Sequence, residues 1–81
     1  MTPAQCRAAR ALLDITQAQI ADAAGLGLST VVDFEKVRRK VSDDAVEAIR
    51  NALERAGIAF TGESGLEEGV LLRKPRHPRR K

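Results

Sequence analysis

Thr2-Pro3-Ala4-Gln5 and Thr16-Gln17-Ala18-Gln19 are one device written twice. In each, a threonine hydroxyl can accept from the backbone amide three residues on, and the glutamine there can reach back to the threonine amide. Pro3 suits a first helical turn, where its missing N–H costs nothing. Ser42 can cap another helix, with Asp43 and Asp44 in its first turn favouring the helix dipole. Gly27 can cap a further one. Four helix starts before residue 45 leave little room for anything but short helices joined by tight turns.

The stops are also written. The first helix is expected to run from Pro3 to about Asp14, with Cys6, Ala9, Leu12 and Leu13 as its apolar side. The second is expected over 17–24, stapled by Ile15 and Ile20 and ended by Gly25 in a left-handed cap. The third is expected over 28–36, with Leu28, Val31, Val32, Phe34 and Val37 as its apolar positions, more than one face needs. In the fourth, Val46, Ile49 and Leu53 recur at helical spacing, Val41 and Val46 form a staple, and Gly57 ends it. Ile58–Thr61 and 69–73 read as two short strands around a Gly/Glu/Ser loop, which must pack on the helices or on another chain. The fold class is therefore mostly all-α: a domain of four to five helices over 1–57, with a β-strand extension at 58–73 expected to serve dimerisation.

Charge is unevenly placed. The 81 residues carry 14 Lys and Arg against 11 Asp and Glu, a net charge of +3. Residues 41–72 hold seven acids against Arg50 and Arg55, whereas 73–81 hold six basic groups and no acid. That Pro-rich basic tail, 74–81, is expected to be disordered and to attract polyanions without sequence preference. The loop Lys36–Lys40 is a second basic cluster.

Several chemistries are disfavoured. One cysteine, Cys6, excludes an intramolecular disulfide framework and a four-thiolate metal site, and its place on an apolar face reads as core. His77 stands alone in the tail. Asp43, Asp44 and Glu47 sit at a helix start, where capping and surface charge explain them better than paired catalytic carboxylates. No enzyme, metal or cofactor is expected. There is no Trp or Tyr, which argues against base stacking on aromatic side chains. No apolar run approaches the roughly 18 residues of a membrane span, and no signal peptide is visible, so a cytoplasmic protein is expected.

A short helix, a turn at Gly25 and a second helix make a helix-turn-helix, in which small Ala21 permits close crossing while Val31 and Phe34 anchor the second helix. The stretch from Arg10 through Gly25 to Ser42 resembles the Xre, or lambda-repressor-like (Cro-type), family of bacterial and phage transcription regulators. The resemblance covers roughly residues 3–57. It implies that Thr16 and Gln17 grip a DNA phosphate, and that Leu28, Ser29, Thr30, Val32 and Asp33 face the bases. It implies further that Arg38, Arg39 and Lys40 contact the backbone, and that Arg10 and Glu35 form a structural ion pair. The expected partner is operator DNA, bound by a homodimer acting as a repressor or autoregulator. Many members carry Ser or Thr at 27, polar residues at 28, 32 and 33, and Gly or Asn at 37. Here stand Gly27, Leu28, Val32, Asp33 and Val37. Leu28 and Val32 can touch a thymine methyl but cannot hydrogen-bond a base, and Asp33 can accept from a cytosine amino group while repelling phosphate. The same residues fit an alternative: a helix-turn-helix shell that binds another regulatory protein, as an anti-activator or antitoxin-type partner does.

Overall fold

Hydroxyl caps set the helix starts. In the computed structural model, which describes residues 1–62 and 68–73, the Thr2 hydroxyl accepts from the Gln5 amide at 3.1 Å and Gln5 Oε1 accepts from the Thr2 amide at 2.9 Å. Thr16 and Gln19 repeat the exchange at 3.0 and 2.8 Å. These boxes open α1 (Pro3–Leu13) and α2 (Gln17–Ala24). Ser42 opens α4 (Asp43–Arg55) by accepting from the Ala45 amide at 3.2 Å, and alanine there cannot reciprocate. Between them, α3 (Leu28–Glu35) starts at Gly27 with no side-chain cap.

Three helices end on one motif. Asp14, Gly25 and Val37 each take left-handed backbone, with φ of 58°, 71° and 55°. Each following amide returns to a carbonyl five residues back: Ile15 to Arg10, Leu26 to Ala21 and Arg38 to Asp33. This is the Schellman closure, which satisfies carbonyls that the helix leaves open. Glycine occupies only the middle one. Val37, expected on the apolar face of the third helix, lies beyond its end and is 73% exposed.

The core is made by Cys6 and Ala9 of α1, Ile20 and Ala21 of α2, Val31 of α3, and Ile49, Ala52 and Leu53 of α4, joined by Ile58. Leu12 does not belong to it and is 45% exposed. It lies about 120° from Cys6 around the helix, so it points off the face that Cys6, Ala9 and Leu13 share. Val46 is half-buried.

The two strands, β1 (Ile58–Thr61) and β2 (Gly69–Leu72), pair antiparallel with Ile58 opposite Leu72 and Thr61 opposite Gly69. Alternation puts Ile58, Phe60, Val70 and Leu72 on the face packed against the helices, and leaves Leu71 58% exposed on the other. Gln5 ties this hairpin to α1. Its Nε2 donates to the carbonyls of Thr61 at 2.9 Å and Gly69 at 3.0 Å. One buried amide thus caps a helix and fixes the sheet against it. Arg50 of α4 lies 5.2 Å from the centre of the Phe60 ring and pairs with Glu54 at 3.1 Å. The expected tail, 74–81, lies outside the described residues.

Candidate nucleic-acid interface

α2, the turn at Gly25 and α3 form the helix-turn-helix. α3 has two sides set by rotation alone. Val31 and Glu35 are buried, 0% and 1% exposed. At about 100° per residue, Asp33 lies about 160° from both. It therefore occupies the middle of the outward face, beside exposed Ser29. Half-buried Val32 lies to one side of it and half-buried Thr30 to the other, while Leu28, about 140° away in the first turn, is 49% exposed.

The inward side is held by a buried carboxylate. Glu35 accepts from Arg10 through two parallel bonds, Nε to Oε2 and Nη2 to Oε1, both 2.7 Å. The Cys6 thiol donates to Oε2 at 3.0 Å and Gln17 Nε2 donates to Oε1 at 3.0 Å. Arg7 donates to the Glu35 backbone carbonyl, and Arg10 also donates to Ile15 O at 3.2 Å. Four donors on α1 and α2 thus converge on one residue of α3. A forked guanidinium matched to a carboxylate resists rotation, so the network fixes the crossing of the three helices.

The same contacts set the protonation states. Burial alone would raise the Glu35 carboxyl, but hydrogen bonds from Arg10, Cys6 and Gln17, with the arginine's charge, outweigh it and hold the group below its ordinary value. The Arg10 guanidinium is raised by its bond to Glu35. Burial, and then the bond to Glu35, push the Cys6 thiol well above its usual range, so it stays a neutral donor. Cys6 is core, as its position suggested, and also a polar member of the network.

The outward side carries a different pair. Arg39 Nε lies 2.7 Å from Asp33 Oδ2, with the two side chains 52% and 20% exposed. Arg39 also reaches the Lys40 carbonyl at 3.5 Å. Arg38 and Lys40 are exposed, with no side-chain hydrogen bond or ion pair among the described residues. At the start of α2, Thr16 is exposed and its hydroxyl is spent on the Gln19 amide. The Gln17 carboxamide is turned inward to Glu35. What this helix start offers outward is the backbone: the first-turn amides of Gln17 and Ala18 have no acceptor within the helix, the usual basis of anion binding there.

Some of this was readable in advance. Cys6 and Arg10 are four apart and Arg7 three before Arg10, so all lie on one face of α1. The Asp33–Arg39 pair had no such signal, because six residues match no helical neighbour and the contact needs the turn at Val37. Arg55, donating to the Ala23 carbonyl at 3.4 Å, was equally hidden.

Two short helices set at a tight turn, the second offering a polar face beside a basic turn, define a helix-turn-helix domain. Residues 7–56, from the middle of α1 through α4, match the family model described as Helix-turn-helix, and the chain belongs to that family, the Xre or lambda-repressor-like regulators. It is a DNA-binding regulator of the Xre type, and the family is one of regulatory domains rather than enzymes. No curated protein matches the chain. The β pair lies beyond the matched residues. Among the described residues no group of three or more His, Cys, Asp or Glu gathers to hold a metal ion, and no helix is long and apolar enough to cross a membrane.

Proposed function

We propose that the chain is a sequence-specific transcriptional regulator, a repressor or autoregulator, that lays α3 in the major groove as a homodimer in the cytoplasm. The observation that carries this reading is the division of α3. Its inner side is locked by the Glu35 network, and its outer side presents Ser29, Thr30 and Asp33 beside exposed Arg38 and Lys40. A rigid helix with a polar outer face and a basic turn at its end is what groove entry requires. The amides at the start of α2 add a phosphate contact. The dimer is formed by the β pair, where Leu71 is exposed and, among the described residues, each strand has one unpaired edge, together with α4.

The test is a mobility shift of the full chain on the DNA upstream of its own gene across a salt series. The double variant Arg38→Ala/Lys40→Ala leaves Asp33 and Arg39 untouched. It is expected to weaken binding and to lower the slope of log affinity against log salt by about two. Binding that is absent at low salt, or unchanged in the double variant, overturns the reading. A second reading, a protein-binding module, rests on the exposure of Leu28 and Val37. Val32→Lys separates the two: loss of operator selectivity supports DNA, whereas loss of a protein contact with DNA affinity kept supports the module.

A further inference from the structure

A carboxylate in the middle of a recognition face is an unusual thing to present to a polyanion. Asp33 stands there, about 160° from the buried face of α3, and its oxygen Oδ2 is held by Arg39 at 2.7 Å. Among the described residues its other oxygen, Oδ1, accepts no hydrogen bond. We infer that Asp33 reads an amino-group donor in the major groove, the N4 amino of cytosine, and that Arg39 is its counter-ion and positioning partner rather than a phosphate clamp. This rests on the DNA-binding reading above and deepens it.

The argument is one of charge and geometry. An unpaired carboxylate on this face would be repelled by every phosphate it passed. Paired with Arg39 it is neutral overall, and the repulsion is removed without hiding the free oxygen. The arginine is aimed by the backbone. The Arg38 amide donates to the Asp33 carbonyl at 2.9 Å, so the turn carrying Arg39 is pinned to the residue that Arg39 neutralises. One oxygen fixed by a guanidinium leaves the other with a set direction. An acceptor there matches the cytosine amino group and is mismatched to the thymine O4 acceptor. Since Leu28 and Val32 can offer a base only apolar contact, and the hydroxyls of Ser29 and Thr30 can donate or accept alike, Asp33 is the side chain on this face that separates a donor from an acceptor in the groove.

The experiment is selection from a randomised duplex pool with the full chain, for wild type, Asp33→Ala, Arg39→Ala and the double variant. Thermal unfolding confirms that each is folded. The wild-type motif is expected to hold cytosine at one position of each half-site, and Asp33→Ala to make that position degenerate while leaving the others. On the selected site, changing that C·G pair to T·A should cost the wild type roughly 10- to 100-fold in affinity and Asp33→Ala almost nothing. Arg39→Ala should weaken binding severalfold with Asp33 present and barely with Asp33 removed. A motif unchanged by Asp33→Ala, or an Arg39→Ala effect equal in both backgrounds with the salt slope reduced by about one, overturns the inference and makes Arg39 a phosphate contact. No enrichment of any sequence by the wild type overturns both this and the DNA-binding reading.

Discussion

Two carboxylates stand two residues apart on α3, and each faces an arginine at 2.7 Å. Glu35 is 1% exposed and takes donors from Arg10, Cys6 and Gln17, whereas Asp33 is 20% exposed and has Arg39 alone. The chemistry of the pairs is the same and the solvent is not. Away from water, a broken partner leaves a charge that nothing replaces, so the Glu35 pair holds the fold. At the surface, water and salt substitute for a lost partner, so the Asp33 pair contributes little to the fold. One helix thus carries inward an ion pair that holds the fold and outward one that the fold does not need, and a two-residue step decides which is which.

The comparison is broken most directly at Glu35. Glu35→Ala is expected to destabilise the domain by about 3–5 kcal/mol, because the half-buried Arg10 and the buried Cys6 thiol lose their shared acceptor. Denaturant unfolding measures it, and a loss under about 1 kcal/mol would place the network among the surface pairs.

The pH dependence comes next. The Glu35 carboxyl is lower in the folded chain than in the unfolded one. Its stabilisation is therefore fully present above the unfolded carboxyl range, near pH 4.3, and is lost as pH falls through the folded value. Cys6 runs the other way. Its raised thiol contributes stability below the ordinary thiol range, near pH 8.5, that fades as pH rises beyond it. Melting temperature from pH 3 to 10 should fall at both ends. Glu35→Gln should flatten the acid side and Cys6→Ser the alkaline side.

Smaller again is the turn that carries Arg39. Val37 is a β-branched residue at φ 55°, and it is 73% exposed. Left-handed backbone costs such a residue about 1–2 kcal/mol, and glycine returns about 0.5–1 kcal/mol of that as unfolded-state entropy. Val37→Gly should therefore stabilise by about 0.5–1 kcal/mol, a rise of several degrees in melting temperature. No rise would mean that Val37 makes contacts worth its strain. The smallest effect belongs to Asp33→Ala, expected to change stability by under about 1 kcal/mol.

Most of the helical frame was legible along the chain. Thr16, Gln19 and Gly25 bound α2 by local hydrogen bonds alone, so residues 17–24 were readable without any tertiary contact. Thr2 and Ser42 did the same for α1 and α4. Leu12 and Val37 are apolar residues whose exposure is set by helical angle and backbone rather than by hydrophobic character. Leu12 is turned off the shared face of α1, and Val37 follows the end of α3. The two strands were legible as strands, while their seat on the helices depended on Gln5, whose reach to Thr61 and Gly69 spans more than fifty residues of chain.

At the candidate site the division is sharper. Sequence alone determined α3, the residues on it and the basic turn after it, because capping and helical periodicity act within a few residues. It could also propose the Arg10–Glu35 pair by resemblance. Only the tertiary structure brought Cys6, Arg10 and Gln17 together on Glu35, turned the Gln17 side chain away from the surface, and set Arg39 against Asp33. Those contacts join residues whose separation in sequence follows no local period. Their existence depends on where helix ends place the chain in space, and a left-handed valine at the end of α3 is one of the things that decides it.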